Sequence, residues 1–501
     1  MPSPSQEPDS AEALPQRTLP LWVAVALSVA TVGPSLAMAG NGQGLVGTVG
    51  KAIPLVFVIG LVGVSLVGYS FVRLTRHISN AGSAYALVGA TVGPRAGFFS
   101  GFAMLGAYVG FSIATLALSS AFANSFLAEL QRGAADPYQL PWLVPVVIAA
   151  AAALALTGRD ARLLAKILLG IEGFGIVAMV VLATVIFTRG GARPTGVDWS
   201  TFSASGVSTS AILGGVVAAF LCWAGFEACA SMGEETADPQ RNIPRAITGT
   251  LVLTGVLFVV VMFAQTIGFG TDKPGLAAFE RSANTLGELA DTYIGRWFSL
   301  LVILTTTVGA FGCHMATAAT SGRMLFAFGR DGFGPKALSH IDPATGSPRR
   351  ATWLVVVGAL AVNTLCAATG WPTATTGDRA IDTYFLFAVA GSVCLMLCYL
   401  LVEIAAAWFV GAPRFAAIHD GSARLTGVLL PAVGALVIIL VLWFSVKDSV
   451  GWLAPPLLGL YWCAAGLAIA VAASTTARRV GAELSAELQP QRPRALGEAR
   501  R

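Results

Sequence analysis

The chain has 501 residues, of which 55% are hydrophobic and only 11% charged, and its mean hydropathy is +0.74. A soluble domain carries about 25% charged residues, and a larger core cannot absorb the shortfall because a water-facing surface still has to be built. The solvent is therefore largely lipid, and a soluble globular protein is excluded. The net charge of +5 does not point to nucleic acid, because Lys and Arg sit in short loops and at the two ends, where they set orientation in a membrane.

Lipid offers the backbone no hydrogen bonds, so spans must be helices or a closed barrel. The apolar runs are continuous and do not alternate, which excludes a barrel. A spanning helix needs about 20 mostly apolar residues. The segment before Pro20 is acidic, Pro-rich and polar, lacks the basic start of a signal peptide, and is expected to stay attached as a tail over 1–19. Twelve spans follow. The first is Pro20 to Gly44, the second Lys51 to Arg73, the third Gly93 to Leu127, the fourth Trp142 to Thr157 and the fifth Ala161 to Phe187. The sixth is Ser208 to Ser231, the seventh Arg245 to Phe269, the eighth Arg296 to Phe328 and the ninth Thr352 to Gly370. The tenth is Ile381 to Val410, the eleventh Leu425 to Phe444 and the twelfth Trp452 to Ala473. A tail over 475–501, rich in Arg, Glu, Ala and Pro, reads as disordered. Lys and Arg are more numerous on the side that holds both ends, which assigns both termini to the cytoplasm.

Two spans carry interruptions. Gly33-Pro34-Ser35 lies in the middle of the first: proline removes a donor and clashes with the preceding turn, and glycine adds backbone freedom. Gly40-Asn41-Gly42-Gln43-Gly44 is expected to fray the outer end. In the sixth, Phe220-Leu221-Cys222-Trp223-Ala224-Gly225-Phe226-Glu227 sets a glycine and a carboxylate in mid-membrane. A broken helix exposes N–H groups on one side and C=O groups on the other; the first attract a carboxylate and the second an ammonium, so two breaks side by side suit a zwitterion. Each alone also fits a proline kink or a helix-packing glycine. Spans one and six are, however, corresponding positions in two halves of five helices, as an inverted repeat requires.

Three motifs carry a resemblance. Trp223-Ala224-Gly225-Phe226-Glu227, Gly233-Glu234-Glu235-Thr236 and the run Asp238-Pro239-Gln240-Arg241-Asn242-Ile243-Pro244-Arg245-Ala246-Ile247 form the first. Asn80-Ala81-Gly82-Ser83-Ala84-Tyr85 is the second, and Ser321-Gly322-Arg323-Met324-Leu325-Phe326-Ala327 with Gly329-Arg330-Asp331-Gly332 the third. Together they resemble the signatures of the amino acid–polyamine–organocation superfamily over the stretch Leu19 to Val410. In the first span Gly33-Pro34-Ser35 replaces that family's Gly-x-Gly. The resemblance implies an all-α membrane protein with the leucine-transporter type of five-plus-five inverted repeat (about 20–190 and 208–410, within a core of 20–410), two added helices over 424–474, and alternating access to a central site. It further implies an amino acid permease, with a polyamine or other organic-amine carrier, or a non-transporting sensor, as alternatives.

Carried over by position, the substrate carboxylate would meet the backbone of Gly33, Ser35 and Leu36 beside Pro34. The amino group would meet carbonyls of Phe220, Leu221 and Ala224 near Gly225, and Phe220 or Trp223 would gate the site. Tyr108 and Ser112, one helical turn apart, are placed in the cavity by position. Glu234, Glu235, Arg241 and Arg245 form either an inner-gate salt-bridge network or a solvated charged loop, and Pro244 is expected just before the seventh span.

Ionisable groups inside a span are costly and usually functional. Glu172, where the family often has a lysine or another residue in place of a sodium site, and Glu227, after the second break, are the candidates for coupling to protons; Glu227 also fits a structural or cation-binding role. Glu403 is expected at the interface and His314 as a packed residue. Thr305, Thr306 and Thr307 fit a cation site or hydrogen bonds to their own backbone. All seven cysteines (Cys222, Cys229, Cys313, Cys366, Cys394, Cys398, Cys463) fall in apolar segments, read as small buried residues and not as disulfides. His77, His340 and His419 lie in loops, and neither His-Glu-x-x-His nor Gly-x-Ser-x-Gly occurs, so no metal, cofactor or catalytic residue is expected. The expected partners are the bilayer, an amino acid or amine, and a proton as coupling ion, at the plasma membrane; which amino acid or amine, symport or exchange, and oligomeric state stay open.

Overall fold

The computed structural model describes residues 17–473 and 476, apart from 79, 81, 135–137, 158, 160, 344, 374, 412–423 and 448. The expected tails, up to residue 16 and over 475–501 save 476, lie outside the described residues, as do Ala81 and His419. Ten helices are long and apolar enough to cross a membrane: Leu21–Gly40, Gln43–Thr75, Pro94–Leu130, Ala161–Thr188, Pro239–Phe269, Arg296–Asp331, Arg349–Thr369, Arg379–Gly411, Leu425–Val446 and Pro455–Ala472. Two shorter apolar helices, Leu143–Leu156 and Thr209–Cys222, stand in the fourth and sixth places of the order. The chain is thus an all-α polytopic membrane protein, and the spans are numbered one to twelve in this order. The face where the described chain begins is called the N-terminal face.

Several boundaries differ from expectation for local reasons. Gly40-Asn41-Gly42 does not fray. Asn41 caps the half-helix Pro34–Gly40, its Nδ2 donates to the Ala37 carbonyl at 3.1 Å, and the chain re-enters a helix at Gln43. The seventh span begins at Pro239 behind Asp238, whose φ of 44° is left-handed, so Pro244 lies inside the helix and not before it. Its missing N–H falls close to the helix start, where little intrahelical bonding is lost. The loop after span two holds a fully buried helix, Ala84–Thr91. Between spans seven and eight lie Lys273–Arg281, capped by Asp272, and Thr285–Tyr293, capped by Asn284.

Packing without a hydrophobic drive between helices favours close backbone approach at small residues. Span three is the central post and packs chiefly along spans ten and eight. Where three meets ten, a Cβ on Gly110 would stand 2.9 Å from the Phe387 carbonyl, and one on Gly391 2.9 Å from that of Ala107. Span one threads between spans five, seven and eight. Spans one and three are mostly buried in the bundle, whereas eleven and twelve are mostly exposed, which makes the last two peripheral.

Candidate functional site

Both interruptions are present, and they face each other. Span one stops at Val32; Gly33 is left-handed (φ 58°, ψ 63°) and Pro34 opens a second half-helix, Pro34–Gly40. Span six ends at Cys222, passes through turns in which Gly225 has φ 101°, and continues as the 3₁₀ helix Ala228–Met232. A Cβ on Gly225 would lie 2.4 Å from Thr31 Cγ2, so glycine is required there both by backbone angle and by contact with span one. The Cys229 N–H donates to Ser28 Oγ at 3.0 Å across the same seam.

A cavity of about 30 Å³ lies beside this seam, room for about two water molecules. Of the expected substrate residues, Leu36, Leu221 and Ala224 line it, together with Thr31, Cys313 and the rings of Phe111 and Tyr384. Tyr384 donates to Asn41 Oδ1 at 3.1 Å. No Lys, Arg or His is among the lining residues. The expected aromatic gate is not at this cavity. The Phe220 ring abuts Gly63 of span two, and the Trp223 ring packs on Phe57 and Phe258, with centroids 5.6 and 5.4 Å away. The carbonyls of Phe220 and Leu221 accept from the N–H groups of Trp223 and Ala224, each at 3.1 Å. Asn41, Phe111 and Tyr384 were missed because nothing in a single sequence shows which faces of spans one, three and ten turn inward.

The buried acids each meet a defined environment. Glu172 reaches the start of the half-helix Pro34–Gly40, where its Oε2 accepts from the Ser35 N–H at 3.2 Å and from Ser35 Oγ at 3.0 Å. Gly309 of span eight makes the room: a Cβ there would lie 2.3 Å from Ser35 Oγ and 3.1 Å from Glu172 Oε1. Glu227 accepts from Tyr108 at 2.6 Å and from Tyr399 of span ten at 2.7 Å. Tyr108 therefore turns its hydroxyl to an acid and not into the cavity, and Tyr399 is a partner that sequence reasoning missed. Ser112 likewise does not line the cavity; its Oγ lies 3.1 Å from His314 Nδ1, and His314 is fully buried. Glu403 does not reach an interface: it is buried, bonded to Ser70 of span two, and packed on Gly434 of span eleven. Thr305, Thr306 and Thr307 all donate to carbonyls of their own helix. The seven cysteines are buried and free.

At the N-terminal face the three sequence motifs converge. Arg323 holds Glu235 with two bonds, Nε to Oε1 at 2.7 Å and Nη2 to Oε2 at 3.0 Å. Arg330 bonds Glu234 at 2.7 Å and Asp331 at 2.9 Å, Tyr85 donates to Asp331 at 2.6 Å, and Arg330 reaches Asn80 at 3.4 Å. The expected network thus forms with different cations: Arg241 and Arg245 point outward on the helix, and among the described residues no ion pair includes them. Both are on the first turns of span seven, whereas span eight brings its arginines under the loop. Leu19 lies against the same loop, its N–H donating to the Glu235 carbonyl at 3.0 Å while its carbonyl accepts from the Ala237 N–H at 2.8 Å.

This arrangement can be set beside known proteins. The low-affinity putrescine importer PlaP of Escherichia coli strain K12 is 24% identical over 431 residues, 83% of this chain and 84% of that protein. The branched-chain amino acid permease BcaP of Lactococcus lactis subsp. cremoris is 24% identical over 359 residues, 68% of this chain and 73% of that protein. The crystal structure of MhsT in complex with L-phenylalanine superposes with a TM-score of 0.54 at 15% identity, over 84% of this chain and 98% of that one; the shared architecture is the leucine-transporter fold. Residues 19–466 match the family described as amino acid permease, and the chain belongs to that family, within the amino acid–polyamine–organocation superfamily.

Proposed function

We propose that the chain is a secondary active transporter that moves amino acids or related small amines across the plasma membrane by alternating access, with both termini in the cytoplasm. The observation that carries this reading is the pair of facing helix breaks with a cavity at their seam, because broken helices offer backbone groups to a polar solute where no water is present. The cavity is too small for an amino acid as it stands, so loading requires the surrounding spans to part. Residues 20–190 and 208–410 act as the two inverted repeats, and 424–474 as an addition outside the exchange of faces. The pairs Glu235–Arg323 and Glu234–Arg330 close the cytoplasmic side. Names of the relatives support the substrate range, since PlaP imports putrescine and BcaP carries branched-chain amino acids.

Coupling to protons runs through Glu172 and Glu227. Each is fully buried, and its hydrogen bonds come from hydroxyls or a backbone amide; a buried carboxylate without a cationic partner is costly, and protonation relieves that cost. The test is radiolabelled uptake into proteoliposomes, with a panel of amino acids and amines under an inward proton gradient, an inward sodium gradient, or internal substrate alone. Proton-driven uptake is expected, and Glu172→Gln is expected to keep binding while losing the response to the gradient. Undiminished proton-driven uptake in that variant removes Glu172 from the coupling.

A further inference from the structure

Glu403 is a buried acid to which the transport reading gives no role. Its Oε2 accepts a hydrogen bond from the Ser70 hydroxyl of span two. Its Oε1 lies against Gly434 of span eleven, where a Cβ would stand 2.3 Å away, and among the described residues it has no hydrogen-bond partner. A buried carboxyl oxygen without a donor is costly. The cost is removed if a donor reaches that oxygen from outside the chain.

Glu403 also lines a crevice of about 580 Å³ between spans ten and eleven, within the range of about 300–1,000 Å³ usual for small-molecule sites. The crevice is separate from the cavity at the seam, and among the described residues none lines both. It takes the last turns of span ten, as far as Gly411, and the first turns of span eleven, from Val428 to Ala435, so it lies toward the N-terminal face. Trp408 and Val428 on its rim are exposed, and its mouth therefore opens sideways between two spans, to lipid. Pro431 in its wall cannot donate to the Gly427 carbonyl, which loses its ordinary helical partner. The wall holds no Lys, Arg or His, and Glu403 is its one ionisable residue. These walls restrict what can enter from the bilayer. An anionic head would meet Glu403 with no cation to offset it, and an ammonium would give up its hydration among apolar side chains. A neutral hydroxyl gives up least, and it can donate to Oε1 as Ser70 does to Oε2.

We propose that the crevice between spans ten and eleven binds a membrane alcohol, an apolar body with an uncharged hydroxyl head, which enters from the bilayer and donates to Glu403 Oε1 after a small turn of that side chain. The full chain in proteoliposomes is photolabelled with three long-chain probes that share one chain and one diazirine: an alcohol, its methyl ether and the corresponding carboxylic acid. Peptide mass spectrometry locates the label. The alcohol is expected to label the facing turns of spans ten and eleven about fivefold more than either other probe, the margin of one hydrogen bond to a buried carboxyl. Glu403→Leu is expected to abolish that preference, and Ala435→Phe, which fills the crevice, to lower labelling there by all three probes. The wild-type ratio stands as a test even if neither variant folds. Equal labelling by alcohol and ether overturns the proposal and leaves bulk lipid as the occupant. An alcohol preference undiminished in folded Glu403→Leu overturns it as well. Neither result depends on transport, so the permease reading stands or falls separately.

Discussion

Tyr399 and Gly225 show how single positions set the site. Glu227 has two hydroxyl donors, and Tyr399→Phe removes one while keeping the ring packed on Phe71 and Phe226. Losing one hydrogen bond to a buried carboxyl costs about 1–3 kcal/mol. The variant is therefore expected to melt earlier in detergent and to lose most uptake, with Glu227→Gln at least as impaired. Wild-type uptake in Tyr399→Phe would reduce Tyr399 to a packing residue. Gly225→Ala meets both a left-handed φ of 101° and a contact of 2.4 Å with Thr31, and should cost at least about 2 kcal/mol. Gly214 lies in the same span with nothing within 4 Å of a Cβ, so Gly214→Ala is the matched control, expected to be neutral or slightly stabilising. The acid at 227 was legible in the sequence because a carboxylate is out of place in lipid, and the glycine at 225 because it stands beside that acid in mid-span. Tyr399 was not, since a tyrosine in an apolar run is ordinary until its partner on another span is known.

The elements at the two faces are held by different means. On the N-terminal face the buried pair Glu235–Arg323, with side chains only 12% and 9% exposed, joins the loop after span six to span eight. Removing Arg323 leaves an acid with little access to water, which is costly. A double-mutant cycle with Glu235→Gln and Arg323→Ala, read from melting in detergent, is expected to return a coupling of about 1–3 kcal/mol, and Arg241→Ala should be near zero. Equal effects at Arg323 and Arg241 would contradict the pairing. On the opposite face Asp198 draws together the loop after span five, the start of span two and the segment after span seven. It accepts from Ser200, from Lys51 at 3.0 Å and from Thr271 at 2.9 Å. The Ser200 hydroxyl, with Lys51 and Thr271, holds its carboxyl well below the usual carboxylate range. A depressed carboxyl stabilises at neutral pH and loses that effect as pH falls below the ordinary carboxylate range. Asp198→Asn should therefore lower Tm at pH 7, and the gap between variant and wild type should begin to narrow only as pH falls below the ordinary carboxylate range, with much of it still present at pH 3. The motifs that meet at the N-terminal face were readable as motifs, but their pairing was not: Glu234 and Glu235 are nearer in sequence to Arg241 and Arg245 than to their partners, and only the bundle brings span eight beneath them.

At the scale of the whole molecule, the helices and the two breaks were legible because lipid imposes a length, a composition and a ban on unsatisfied backbone, all of which mark single segments. Which side chains share the seam depends on the rotation of each helix, and apolar spans carry little periodic signal; so Leu36, Leu221 and Ala224 were named only by carrying the family resemblance over by position, while Asn41, Phe111 and Tyr384 had to await the packed bundle. That packing also supplies a reporter of the transport cycle. Cys313 of span eight forms part of the cavity wall and donates to the Thr31 carbonyl at 3.2 Å. Cys394 lies away from the cavity, where span ten meets span twelve, and donates to the Gly459 carbonyl at 3.4 Å. Both are buried, so a small maleimide can reach either only when the structure opens. If spans one and six part from span eight during transport, Cys313 should be alkylated faster than Cys394. Weakening the Glu235–Arg323 pair on the N-terminal face by Arg323→Ala should speed Cys313 several-fold and leave Cys394 unchanged, and saturating substrate should slow Cys313 alone. Peptide mass spectrometry separates the two sites. Parallel changes at both cysteines would mean general loosening of the bundle, whereas a change confined to Cys313 ties the charged network on one face to the opening of the seam between the broken helices.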